Sequence, residues 1–243
     1  MKRYILFFLI IPFIISACSS SDSYDGRKTL VQILTIEQDS KFLHIQFGYN
    51  GENIQSVSYT GDGQPTMYTF TRGGNKLYMK EQYKGNTYNS TFELTKGLAT
   101  KAVYNQGTED EYEVNYNYNM NNQLYEIIKL NAYKYNLTWV DDDVRNIQIQ
   151  DENGLRVNNC TYTDHIINTN IDMNMFLAGF SVGSYFPNSY FGKKTKHLLK
   201  STDVYTYEYE FDDWDNLTVV TETSKANGKK TIYTIYYDST IYQ

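Results

Sequence analysis

The chain has 243 residues, 25 of them tyrosine, with two cysteines, three prolines and a net charge of −6. A mildly acidic chain lacks the clustered Lys and Arg that a phosphate backbone demands, so no nucleic-acid partner is expected. The length fits one large all-β domain or two small ones, and it suffices for a sizeable core without staples.

Lys2 and Arg3 form a short positive region, and Tyr4 to Ile15 is almost wholly apolar. That run matches a signal-peptide core and is too short to span a bilayer as a mature helix. It ends in Ile15-Ser16-Ala17-Cys18, which resembles the bacterial lipobox. The resemblance implies cleavage before Cys18 and lipid on its sulfur, so residues 1–17 read as a lipoprotein signal peptide. The membrane is then the expected partner, reached through Cys18. Cleavage leaves 226 residues (243 minus 17), and losing Lys2 and Arg3 takes the charge from −6 to −8. Residues 18–28 are polar and small, the composition of a flexible tether. Ser19, not Asp, follows the cysteine, which points to the outer membrane, on its periplasmic face or at the cell surface. With Cys18 lipidated, Cys160 has no disulfide partner and reads as a half-buried structural thiol.

From residue 29 onward the chain reads as strands. Leu30 to Glu37 opens, and Leu43, Ile45, Phe47 and Tyr49 alternate with polar residues up to the turn Asn50-Gly51. Further strands follow at Ile54–Tyr59, Thr66–Thr71, Lys76–Tyr83, Thr87–Leu94 and Leu98–Tyr104. Val114, Tyr116 and Tyr118 alternate with Asn115, Asn117 and Asn119 before the turn Asn121-Asn122-Gln123. Tyr133–Val140 and Val144–Gln150 flank Asp141-Asp142-Asp143. Regularity fails at 163–195, where Met173 to Ala178 reads as one or two helical turns capped by Asp172. Long irregular segments are functional or covering, and this one is expected to plug an open end with Met175, Phe176, Phe180 and Phe186. Tyr205, Tyr207, Tyr209 and Phe211 then alternate with Thr206, Glu208, Glu210 and Asp212. Leu217–Thr221 and Thr231–Asp238 close the chain.

These roughly 12–15 strands are joined by short turns, which forces an antiparallel meander. The fold class expected is all-β: residues 29–243 form one strongly curved or barrel-like sheet with one short helix. The Tyr stripes should face inward, with Asn115, Asn117, Glu208 and Glu210 in water. The strands are too polar and many are too short for a membrane-spanning barrel.

The lipobox at Cys18, the Tyr-x-Tyr hairpins at Tyr116 and Tyr207, Asn170-Ile171-Asp172-Met173-Asn174, and Gly192 to Lys200 together resemble a lipoprotein family. That family, from gut Bacteroidetes, has a porin-like fold and unknown function. The resemblance implies a fold and an envelope location and supplies no catalytic residue. A weaker similarity is to the tyrosine–aspartate shell repeats of large toxins.

No spacing supports chemistry. His44, His165 and His197 lie far apart, so no metal or other cofactor is expected. Asp141 to Asp143 lacks the alternating spacing of calcium loops. Glu208, Glu210 and Asp212 share one strand face and do not oppose each other across a cleft. The expectation is a non-enzymatic envelope protein that binds a glycan, lipid, peptide or protein partner, or serves a structural role. Tyr185, Tyr190 and Phe191 are the candidate ligand contacts. The alternative is a carboxylate-based hydrolase acting on glycans.

Overall fold

The computed structural model describes residues 30–61, 63, 65–177 and 190–238. Cys18, Tyr185, Phe180 and Phe186 therefore lie outside the described residues, as do the leader and the tether. Within them the chain forms β1 (Val31–Gln38), β2 (Lys41–Asn50), β3 (Asn53–Gly61), β4 (Thr66–Gly73), β5 (Lys76–Tyr83), β6 (Asn86–Thr95) and β7 (Leu98–Tyr104). Then come β8 (Tyr112–Tyr118), β9 (Leu124–Lys129), β10 (Tyr133–Val140), β11 (Asp143–Asp151), β12 (Gly154–Asn159) and β13 (Thr161–Ile166). One short helix, α1 (Met173–Leu177), precedes β14 (His197–Ser201), β15 (Tyr205–Phe211), β16 (Leu217–Ser224) and β17 (Lys230–Tyr237).

Each strand pairs antiparallel with its neighbours in sequence, and β17 returns to pair with β1, so the meander closes on itself. Only Cys160 separates β12 from β13, which leaves no room for a turn, so the two are one strand broken at that residue. Counting them as one brings the 17 strands to 16, and an all-antiparallel ring requires an even number. The thinnest seam is β14–β15, where Ser201↔Thr206 is the one register pair. The barrel is therefore nearly closed.

Alternation sets the two faces. Leu77 and Met79 of β5, Phe92 and Leu94 of β6, Tyr116 of β8 and Tyr207 of β15 are buried inside, while Asn115, Glu208 and Glu210 are exposed. Asn117, Tyr118 and Tyr209 are half-buried. The outer wall carries charge in register: Lys76 pairs with Glu93, Glu93 with Lys101, and Lys101 with Asn115. Lys101 also bonds Glu113 at 2.7 Å. Each Lys at a bilayer midplane costs about 2–4 kcal/mol, so this wall suits water.

Strict alternation fails at one rim, in a repeated way. Six strands begin there with buried residues three apart: Val31/Leu34, Ile54/Val57, Ala99/Ala102, Leu124/Ile127, Val144/Ile147 and Leu217/Val220. Two residues three apart face the same side of a strand only if an extra residue bulges between them. The registers shift at each of these places. A bulge breaks the ladder and leaves a backbone group to be satisfied.

Aromatic side chains meet that need. Tyr49 donates to the Val31 carbonyl at 2.5 Å, Tyr118 to Ala99 at 2.8 Å and Tyr162 to Val144 at 2.7 Å. Tyr237 donates to Leu217 at 2.7 Å, and the Trp139 indole donates to Leu124 at 2.7 Å. Tyr209 does the same for Leu199. The donor always sits on a strand that faces the bulged one across a seam, so each bond latches two splaying strands. This accounts for five of the 25 tyrosines: the ring packs inside and the hydroxyl fills a vacant acceptor.

The same rim is covered by residues 167–177, which follow β13, and 190–196, which lead into β14. Ile171, Met173, Leu177, Tyr190 and Phe191 are buried. Of the residues expected to plug the end, Met175 and Phe176 are half-buried, and Phe176 meets Tyr233 edge-on at 5.8 Å. Asp172 caps α1 by accepting from the Met175 amide at 3.1 Å. Asn174, 2% exposed, accepts from the Leu199 amide and donates to Thr195 and the His197 carbonyl. The covering segment is thus held by directional bonds as well as by apolar contact.

Candidate functional site

The seam between β7 and β8 opens at the covered rim. Their register runs from Tyr104↔Tyr112 to Lys101↔Asn115 and stops, although β7 continues back to Leu98 and β8 on to Tyr118. The cause is local. Thr100 bulges between Glu93↔Lys101 and Leu94↔Ala99, and Tyr125 bulges between Asn117↔Glu126 and Tyr118↔Leu124. Two bulges facing away from a shared seam twist the strands apart. A cleft of about 510 Å³ results, within the usual 300–1,000 Å³ of small-ligand sites.

Its lining is mostly uncharged and polar: Thr95, Thr100, Asn115, Asn117, Asn119, Asn122 and the tyrosines 116 and 118, with Leu98 and Ile128 as the apolar part. Among the described residues Lys96 is the one charged residue in the lining, and no carboxylate lines the cleft. The lips are stiff. Lys96 and Gly97 both have positive φ (52° and 86°), the two-residue hairpin turn that matches strand twist. On the other lip the Asn119 side-chain oxygen accepts from the amides of Asn121 and Gln123, at 2.9 and 3.1 Å.

The floor is set by Tyr118, whose hydroxyl spans the open seam to Ala99 and lies 3.4 Å from the Tyr190 carbonyl. Burial pushes the Tyr118 hydroxyl pKa well up, so it stays a donor at neutral pH. Asn117 donates to Glu126 at 2.6 Å, and the Lys134 ammonium beside Glu126, with Asn117, holds its carboxyl pKa below the usual range. Among the described residues the Asn115 and Asn122 side-chain amides make no bond within the protein.

Behind the cleft the covering segment passes at contact distance. Gly192 has φ +87°, and a Cβ there would lie 2.2 Å from the Asn122 carbonyl oxygen and 3.1 Å from the Tyr118 ring. Lys193 donates its amide to Asn122 at 2.8 Å and its ammonium to Asp142 at 2.7 Å. Asp143, 1% exposed, accepts the amides of Lys196 and His197 and meets the His197 ring at 2.8 Å. The acidic turn is therefore a structural clamp on the covering segment.

Of the ligand contacts expected from sequence, Tyr185 lies outside the described residues. Tyr190 and Phe191 are buried beneath this rim, Phe191 edge-on to Phe92 at 6.2 Å and to Tyr116 at 5.2 Å, and Arg72 lies 5.8 Å from the Tyr190 ring centre. Cys160 is buried, and desolvation pushes its thiol up to about 11, which keeps it protonated and inert. His165 stacks on Phe211, and His197 serves the clamp. Among the described residues no group of three His, Cys, Asp or Glu could hold a metal. The cleft itself was not foreseen, though its asparagines stand on the polar face of the central hairpin.

No known family model matches the chain, and no curated protein matches it. Solved structures that share its fold include two porin-like proteins. A porin-like protein from Bacteroides uniformis ATCC 8492 is 14% identical with a TM-score of 0.62, over 86% of this chain and 96% of that one. A porin-like protein from Bacteroides vulgatus ATCC 8482 is 14% identical with a TM-score of 0.60, over 87% of this chain and 99% of that one. At that identity the likeness establishes the fold alone, and the chain has a porin-like barrel fold.

Proposed function

We propose that the protein is a lipid-anchored protein of the cell envelope that binds a ligand without transforming it. The cleft between β7 and β8 carries this reading: it offers amides and hydroxyls on a stiff frame, and no carboxylate lines it. The alternative hydrolase needs two facing carboxyl groups, and this cleft supplies none.

The anchor fits the position of the chain ends. The Asp238 amide donates to the Leu30 carbonyl at 3.1 Å, so both ends of the described barrel lie at the covered rim. Lipid at Cys18 would attach to that rim through about twelve residues, whose full extension is roughly 40 Å. The rim carrying the cleft would then stay within roughly 40 Å of the bilayer, and the charged wall would stand in water. A porin-like relationship in Bacteroides agrees with an envelope location.

The test is fractionation of cells expressing the full chain and its Cys18→Ala variant. The full chain should sediment with outer membranes after a high-salt wash, and the variant should not, because stable attachment needs the acyl chains. A Cys18→Ala protein that still sediments would overturn the anchor.

A further inference from the structure

We propose that the cleft recognises a neutral oligosaccharide, an assignment that rests on the binding reading above and names its ligand class. Carboxamides both donate and accept, as do the hydroxyls of a sugar ring, so one amide can pair with two neighbouring hydroxyls. The Asn115 amide on β8 and the Asn122 amide in the β8–β9 turn stand exposed along one side of the opening, unengaged by the described residues. Leu98 and Ile128 are half-buried beside them, an apolar strip of the kind that takes the C–H face of a sugar.

The same residues argue against other classes. An anionic ligand would want several cations, and Lys96 stands alone in the lining. An added peptide strand would want the free edge of β7, but the Ala99 carbonyl on that edge is already taken by Tyr118. A lipid chain would want a continuous apolar slot, and asparagine amides and threonine hydroxyls interrupt this lining.

The recognition is also built to be rigid. The lips are held by the Lys96-Gly97 turn and by the Asn119 side chain, and the floor by Tyr118 against Gly192. A site with its polar groups already placed loses little on binding, which matters for sugars because their hydroxyls are well solvated beforehand.

The experiment uses the full chain in detergent, titrated by calorimetry and by saturation-transfer NMR. The probes are chitohexaose, maltohexaose, cellohexaose and mannohexaose, against trigalacturonate and a heparin hexasaccharide. At least one neutral sugar should bind at millimolar or tighter Kd, and the acidic pair should bind at least tenfold more weakly. Asn115→Ala, on an exposed strand position, and Asn122→Gly, which suits the backbone at φ 60°, should each weaken that binding about tenfold with the melting temperature unchanged. Failure of every neutral sugar, preference for the acidic pair, or binding indifferent to both variants would overturn the assignment. Reducing-end release from a bound sugar would instead overturn the non-enzymatic reading and leave recognition standing. Sedimentation of the same preparation reports the anchor separately.

Discussion

The latches can be tested one oxygen at a time, and Tyr162→Phe is the cleanest case. The substitution keeps the ring and removes only the hydroxyl that donates to the Val144 carbonyl at 2.7 Å. Val144 is 2% exposed and begins a bulged strand, so water has little access to the orphaned acceptor. A buried acceptor left without a donor costs about 1–3 kcal/mol. For a domain of this size each kcal/mol shifts the melting temperature by about 2–4 °C, so a loss of roughly 2–12 °C is expected. Calorimetric melting of the full chain measures it, with Tyr78→Phe as the control. Tyr78 is 46% exposed and latches nothing, and exposed substitutions stay within about ±0.5 kcal/mol. Equal melting temperatures for Tyr162→Phe and wild type would refute the claim that these hydroxyls hold the splaying strands together.

Gly192→Ala should destabilise the barrel by more than about 1 kcal/mol, because it adds a left-handed backbone cost to a clash with the Asn122 carbonyl, whereas Gly228→Ala, at φ +70° with nothing within 4 Å, should cost only the backbone part; urea unfolding compares them, and equal losses would contradict the close pass at the cleft. Asp172 is buried and desolvation raises its carboxyl to about 6, with the Met175 amide partly offsetting this. Its folded pKa lies above the unfolded value of 3.8, so stability is fully present near pH 4 and falls as pH rises through about 6. Asp172→Asn keeps the capping oxygen and removes that loss, of order 3 kcal/mol, so the variant should gain on wild type more at pH 7.5 than at pH 4; a difference independent of pH would count against the buried charge. Cys160, pushed up to about 11, should resist iodoacetamide at pH 8 in the folded chain and react once urea unfolds it; rapid labelling of the folded chain would contradict its burial.

Much of this barrel was legible because alternation is a direct record of a sheet with one dry face. The hairpin turns, the inward tyrosines 116 and 207 and the exposed Glu208 and Glu210 follow from period two alone. The break in strand rhythm after residue 163 was legible too, and the described parts of that segment, 167–177 and 190–196, hold the buried Ile171, Met173, Leu177, Tyr190 and Phe191. Three things were hidden. At β14 the adjacent residues Leu198 and Leu199 are both buried, so the strand shows no alternation to read. The bulges put buried residues three apart, a spacing that blurs the strand period; a signal for them exists in the tyrosine that recurs 18–20 residues later at Tyr49, Tyr118, Tyr162 and Tyr237. The cleft depends on two bulges in different strands acting on one seam, a relation between distant residues that no local pattern carries.

The central claim is that a porin-like sheet here forms a barrel filled and covered by its own chain, standing beside the membrane and not through it. Planar-bilayer recording of the full chain, reconstituted at increasing protein-to-lipid ratio, tests it most directly. The buried Met173, Leu177 and Phe191 inside the rim and the Lys76, Glu93 and Lys101 ladder outside it call for a silent bilayer with no discrete steps. Stable single-channel conductance from the purified chain would mean that the barrel spans the bilayer around an open lumen, and the account would be wrong.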